Sequence, residues 1–342
     1  MKRIIYVYSQ PRKTWYSAVK TGRMPDHVLY GMSWLHHFGF KTSFSDLGFS
    51  KWNLLKWPMS PLQKKFMRQF GIGFQLDQAL VLLPQLRSAD LIITTNDSCG
   101  LPVAFLKYIH LLSTPQIYIH MHLVPNKFIS ELLRQPQAII SVSSQINLPG
   151  QKIYSSPPGV DIGFFKPQTV DPQYDIVAIG RDPGRDYHTL FRAVANLPIK
   201  TLIICDPKNI RPLAIPANVT VEHQVSYLRV RQAYHQARII VLPTKRRAIS
   251  GQTNFLEALA CGKPVIAADT PTLRQSFKQL NQPHCLYYRP EDVMDLKQKI
   301  RYFLHRPKLQ AQLGQAARKI APQYSSRKFA RKIMSIINDH SN

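Results

Sequence analysis

The chain has 342 residues, 44% of them hydrophobic, and its 45 Lys and Arg against 19 Asp and Glu give a formal net charge of +26. That length suits two α/β domains of about 150 residues each, and the apolar content excludes a disordered or collagen-like chain. No apolar run approaches the roughly 20 residues of a membrane span, and Cys99, Cys205, Cys261 and Cys285 are too far apart for a metal-ligand spacing, so reduced thiols in a cytoplasmic protein are expected.

Met1-Lys2-Arg3 leads into Ile4-Ile5-Tyr6-Val7-Tyr8, which is too short for a signal peptide, lacks a small-residue cleavage site and reads as the first sheet strand. Strands are expected at 3–8, 40–45, 90–95, 116–120 and 138–142, then at 174–179, 201–205, 238–242 and 264–268, with helical patterns between them. Such alternation belongs to parallel sheets covered on both faces. Prolines concentrate between residues 155 and 172, which divides a first domain, 1–165, from a second, 170–322, and leaves a terminal segment, 323–342, with a helix from about Ser326. A cleft between two such domains is where a nucleotide-linked substrate is expected.

Two stretches of the first domain combine cations with aromatics. One holds Arg12, Lys13, Trp15, Tyr16, Lys20 and Arg23. The other, 51–74, holds Lys51, Lys56, Lys64, Lys65 and Arg68 with no acid among them, beside Trp52, Trp57, Leu54, Leu55, Met59, Phe66 and Phe70. Ser60 with Pro61 is expected to open a helix there and Gly71 to end it. Leu62, Phe66 and Phe70 then share a face away from Lys64, Lys65 and Arg68. A basic amphipathic helix flanked by tryptophans suits an anionic lipid headgroup layer. The same pattern also fits a helix that packs its Phe face on its own domain. Nucleic acid, the other standard partner for so large a charge, is not expected, because no zinc-finger spacing, helix-turn-helix or aromatic RNA-binding strand signature occurs.

Pro115-Gln116-Ile117-Tyr118-Ile119-His120 reads as a strand ending in a histidine, with His122 two residues on. The pair lacks a third metal ligand, and a structural histidine fits as well as a functional one.

Residues 245–269 are the most informative segment. Ser250, Gly251, Gln252, Thr253 and Asn254 separate an apolar strand, Ile239 to Leu242, from the helix formers Phe255 to Ala260. Free backbone N–H groups and the positive end of a helix then lie at the mouth of a sheet, where an anion binds. Gly262 with Lys263-Pro264 ends that helix, and Val265-Ile266-Ala267-Ala268 reads as a buried strand. Glu257 alone reads as a first-turn acid that favours the helix end.

Ser250 to Thr253 with Leu256-Glu257-Ala258-Leu259-Ala260-Cys261-Gly262-Lys263-Pro264 resembles the donor-site signature of retaining glycosyltransferases of the GT-B group, most closely family four. Pro157-Pro158-Gly159-Val160-Asp161 to Phe164-Phe165-Lys166-Pro167, Gly180-Arg181 to Leu190, and Ala237 to Thr244 resemble three further elements of that family, in the same order. The likeness is good over roughly residues 139–275 and holds only in outline in the N-terminal half.

The resemblance implies a GT-B fold: two Rossmann-like domains with parallel sheets facing across a cleft. The first would bind the acceptor, the second the nucleotide-sugar donor, and the last helix would pack back on the first domain. It implies that Arg181 and Arg185 stabilise the leaving diphosphate, assisted by Gly251, Gln252 and Thr253, and that Glu257 holds the ribose hydroxyls. It places His120 at the acceptor or donor sugar, and implies retention of configuration. Without an Asp-x-Asp element, no metal and no other cofactor is expected. Trp52, Lys56, Trp57, Lys64, Lys65 and Arg68 become an acceptor or membrane patch, suited to a lipid-linked or membrane-held acceptor on the inner face of the membrane; a soluble or protein acceptor, or a binding protein without turnover, are the alternatives.

The sequence departs from the family where Ile249 replaces the first glutamate of a paired-glutamate pattern, which leaves Gln252 or Asn254 to contact the sugar. Arg185 stands where lysine is usual, Gln10-Pro11-Arg12-Lys13 replaces a glycine-rich loop, and Cys205-Asp206-Pro207 stands where Gly-x-Gly is common.

Overall fold

The computed structural model describes residues 1–50, 53–121, 126–142, 146–277 and 285–340. The chain divides into two compact units. Met1–Thr21, Val28–Pro157 and Phe329–Asn342 make up the first, and Gly22–His27 with Pro158–Lys328 the second.

The first unit contains strands β1 (Arg3–Val7), β2 (Lys41–Phe44), β3 (Leu91–Thr94), β4 (Gln116–His120), β5 (Ala138–Ser141) and β6 (Ile153–Ser155), in one parallel sheet of order β2-β1-β3-β4-β5-β6. Helices α1 (Lys13–Lys20), α2 (Met32–His37), α3 (Lys56–Phe70), α4 (Leu76–Val81), α5 (Leu83–Ser88), α6 (Asp97–Tyr108) and α7 (Lys127–Leu133) connect them. Every residue of β3, β4 and β5 is buried, as strands covered on both faces require. Ile92, Tyr118 and Ile139 meet Leu86, Leu101 and Leu132 in the core. The Asn96 side chain caps α6 by accepting from the Ser98 and Cys99 N–H groups.

In the second unit, β7 (Tyr174–Gly180), β8 (Thr201–Cys205), β9 (Val219–Glu222), β10 (Ala237–Leu242), β11 (Val265–Ala268) and β12 (Leu286–Tyr288) form a parallel sheet of order β12-β11-β10-β7-β8-β9. Its helices are α8 (Tyr187–Val194), α9 (Tyr227–Gln236), α10 (Gln252–Ala260), α11 (Pro271–Ser276), α12 (Val293–Leu304) and α13 (Pro307–Ile320); α14 (Ser326–Asp339) then carries the chain into residues grouped with the first unit. Alternate residues of β7 feed separate cores. Val177 and Ile179 join Phe165, Tyr234 and Leu259, whereas Ile176 and Ala178 join Phe191, Leu296 and Phe303.

The nine strands expected from the sequence are present. Those without a counterpart, β6, β9 and β12, are short edge strands whose single neighbour allows exposed or half-buried residues, so they carry no continuous apolar signal. Residues 158–165, which the proline pattern assigns to the first domain, lie in the second unit because Val160, Phe164 and Phe165 are buried in its core. Residues 22–27 also belong there. Asp26 accepts a hydrogen bond from the Ser326 hydroxyl at 2.5 Å, and its N–H donates to Asp161 Oδ2 at 2.9 Å.

Candidate functional site

In the second unit, β7 ends at Gly180 and the chain turns through Arg181 to Asp186 before α8, which Asp186 caps through the Thr189 N–H. Asn209 Nδ2 donates to the Arg181 and Asp182 carbonyls and holds this turn. Arg181 is exposed. Arg185 is not: its side chain is 1% exposed. Its Nε donates to Asp182 Oδ2 at 2.8 Å and its Nη2 to Asn254 Oδ1 at 2.6 Å. Nη1 is buried without a hydrogen-bond partner. A Cβ on Gly180 would stand 2.1 Å from Arg185 Nε, so only glycine lets the guanidinium lie across the strand end. Burial alone raises the Asp182 carboxyl, but the Arg185 charge and hydrogen bonding outweigh it and hold that group below the ordinary carboxylate range.

The second wall is the turn from β10 into α10. Helix α10 begins at Gln252, earlier than the apolar pattern places it, with Gly251 as N-cap in the left-handed region at φ 101°. A Cβ on Gly251 would lie 3.8 Å from Arg185 Nη1, so the orphaned donor is beside the helix N-terminus. The Gly262 N–H donates to the Leu259 carbonyl and the Lys263 N–H to the Ala258 carbonyl, a Schellman closure of the far end. A buried N–H without an acceptor next to uncapped helix amides is an anion site in its chemistry.

Glu257 is 2% exposed and stands in the second turn of α10, not the first, because the helix starts at Gln252. A pure helix-end role is thereby overturned. Its Oε2 accepts from the Tyr234 hydroxyl at 2.9 Å and from Asn254 Nδ2 at 3.1 Å. Burial first, and then the Glu257 charge, push the Tyr234 hydroxyl well above its ordinary value, so it stays a donor. Glu257 Oε1 faces His27 Nε2 at 3.5 Å. The Asp161 N–H donates to His27 Nδ1 at 3.2 Å, which places the ring proton on Nε2, toward the carboxylate. His27 stacks on Phe165 with ring centroids 6.0 Å apart. Asp182, Arg185, Asn254, Glu257 and His27 thus form one chain of polar contacts. His27 is the member that the sequence does not reveal, since nothing in its neighbourhood shares a spacing with Glu257.

Of the remaining expected donor residues, Gln252 and Gly251 are buried, and Thr253 and Asn254 are half-buried. Ile249 is half-buried too.

The other expected residues belong to the first unit. His120 is 1% exposed at the end of β4, with Nδ1 3.4 Å from the Ser141 hydroxyl and its ring stacked on Tyr118. His122 lies outside the described residues, as do Lys51 and Trp52. Helix α3 begins at Lys56, with no side-chain cap, and Ser60 and Pro61 lie inside it; Gly71 ends it at φ 68°. The expected apolar face also divides differently. Phe66 is buried against Phe74 at 4.4 Å and Phe70 at 4.6 Å, while Leu62 is exposed, along with Leu54, Trp57 and Met67. Lys56, Lys64, Lys65 and Arg68 are all exposed. In the patch after β1, Lys13 and Lys20 are exposed but Arg12 is only 6% so.

Over residues 163–320 the chain matches the family of glycosyl transferases, group 1. This segment is a group 1 glycosyl transferase domain. No curated protein sequence matches the chain. In fold, it is similar to a sucrose-phosphate synthase from Thermosynechococcus elongatus, with 15% identity, a TM-score of 0.70 and 99% of each chain covered. It is similar likewise to Anabaena HepE in complex with UDP-glucose, with 14% identity, a TM-score of 0.68 and 99% of this chain and 100% of that one covered. A glycosyltransferase from Rickettsia africae matches with 14% identity, a TM-score of 0.65 and coverage of 98% and 97%. At these identities the likeness is one of fold, and it bears out the GT-B class: two Rossmann-like α/β units, each with a parallel sheet. The group 1 domain includes Arg181, Arg185, Gly251 to Asn254 and Glu257; His27 joins the same unit from outside the matched segment.

Proposed function

We propose that the chain transfers a glycosyl group from a nucleotide-sugar donor to a lipid-linked or membrane-held acceptor, with retention of configuration, at the inner face of a membrane. The observation that carries this reading is the buried Arg185 guanidinium with Nη1 unpartnered beside the N-terminus of α10. Arg185, Arg181 and the N–H groups of Gly251 to Thr253 hold the diphosphate and stabilise the charge that grows on it as the bond from the sugar C1 to the phosphate oxygen breaks. The acceptor oxygen bonds to C1 on the same face, and its proton passes to the departing phosphate oxygen. No metal ion takes part, because the arginines supply the positive charge. Glu257, aligned by Tyr234 and Asn254, takes the ribose hydroxyls through Oε1. In this reading His120 lines the sugar side and the cations of α3 meet the membrane. That HepE was solved with UDP-glucose makes UDP the first base to try.

Release of free nucleotide from a panel of UDP-, GDP- and ADP-sugars tests the proposal, with chelator expected to leave the rate unchanged. Arg185→Ala should lower turnover by about 10²- to 10³-fold while the far-UV circular dichroism stays the same. Unchanged turnover removes Arg185 from the site. Ile249, apolar where the family has a glutamate, favours a second reading: a nucleotide-sugar binding protein without turnover. Nucleotide binding with no release from any sugar of the panel selects it.

A further inference from the structure

Arg12 is the least explained charge in the first unit. It follows the C-terminal end of β1 and is 94% buried by its 6% exposure, yet Nε and Nη1 of its guanidinium have no hydrogen-bond partner. No carboxylate among the described residues forms an ion pair with it. The nearest acid in its contacts, Asp46, is occupied otherwise: Oδ1 accepts from the Arg12 N–H at 2.8 Å and Oδ2 from the Lys13 N–H at 2.9 Å. The guanidinium lies 4.0 Å from the Trp15 ring centroid and 4.9 Å from that of Tyr8. Aromatic rings cover the faces of a guanidinium and leave its N–H donors, which lie in its plane, unsatisfied. A buried cation in that state is stabilised once an anion arrives.

Its place in the sheet supports the same conclusion. Strand β1 lies between β2 and β3, so the crossover after it runs one way and the later chain the other. The crevice outside the carboxyl ends of strands at such a switch point is where open α/β sheets bind ligands. Here Asn96, the N-cap of the 12-residue helix α6, donates from Nδ2 to the Ser9 hydroxyl, three residues before Arg12. The switch point and the unpaired guanidinium both belong to the segment that follows β1 in the first unit, and the N-cap of α6 is tied to that segment through Ser9.

We propose that Arg12 forms an anion site for a phosphoryl group, and that this phosphoryl group is carried by the acceptor. The site itself stands independently of the function proposed above; the assignment to the acceptor rests on it. Because Arg12 stacks on Trp15, tryptophan fluorescence of the intact chain reports occupancy. The probe is inorganic phosphate, titrated against chloride at constant ionic strength, with glycerol 3-phosphate and UDP in parallel. A saturable change with phosphate is expected in the wild type and in Arg185→Ala, with the midpoint raised about tenfold or more in Arg12→Gln. UDP binding, read by calorimetry because all four tryptophans belong to the first unit, should show the opposite dependence, lost in Arg185→Ala and kept in Arg12→Gln, which separates failure of this site from failure of the donor reading. Should Arg12→Gln not fold, Trp15→Phe keeps the test open: the fluorescence change vanishes while calorimetry still detects phosphate binding. No saturable response in the wild type, or one that survives Arg12→Gln, overturns the site. Phosphate binding with glycerol 3-phosphate excluded overturns the acceptor assignment.

Discussion

Asp182 has two tasks at Arg185: it holds Nε at 2.8 Å and supplies a negative charge to a guanidinium that Asn254, a neutral partner, cannot balance. Its pKa in the folded chain is depressed, so the carboxylate stabilises the fold above the ordinary carboxylate range, and that contribution disappears as pH falls through the folded value. Asp182→Asn should therefore flatten the acid limb of a plot of Tm against pH. An acid limb as steep as that of the wild type would show that the pair contributes nothing to stability. Arg185 itself is a candidate from the sequence because the resemblance that singles it out, Gly180-Arg181 to Leu190, lies in one continuous segment. His27 is not, because its partners Asp161 and Glu257 are brought to it only by folding. Arg12 was legible as a cation but not as a buried one, since burial depends on where Trp15 and Tyr8 pack.

Helix α10 shows how a local rule becomes a site. Gly251 at φ 101° frees the amides of the first turn and lets the chain pass Thr244, whose methyl would stand 3.3 Å from an added Cβ. Gly251→Ala should cost about 1–3 kcal/mol in unfolding free energy and weaken nucleotide binding with it, read by denaturant titration and calorimetry. Helix α3 teaches the converse. Its spacing announces an amphipathic helix, and one forms, but periodicity does not say which apolar residues the rest of the fold will cover. Phe74, outside the helix, claims Phe66 and leaves Trp57 87% exposed. The two residues should therefore behave differently when changed. Trp57→Ser is expected to weaken co-sedimentation with anionic vesicles at unchanged stability, whereas Phe66→Ser lowers Tm; equal vesicle binding by wild type and Trp57→Ser would argue against a membrane role for α3. The strands that carry no sequence signal of their own are edge strands for a related reason: β6, β9 and β12 are defined by the neighbour they join more than by their own residues.

At the scale of the molecule, net charge and the order of motifs were readable from composition and spacing, whereas the grouping of distant segments was not. Residues 22–27 precede most of the first unit yet complete the second, and residues 329–342 follow all of the second yet complete the first. A fragment of residues 158–328 would lack His27 and leave one face of Phe165 and Glu257 Oε1 without their neighbour. It should be less stable than the second unit of the whole chain and gain stability when a peptide spanning residues 20–29 is added. A fragment indifferent to that peptide would make the segment dispensable. The same exchange of segments sets an order on synthesis. Domains of a nascent chain usually mature one after the other as they emerge, but here the first unit is completed only by residues 329–342, which follow every residue of the second, so the segments made first are the ones that wait longest for their partners.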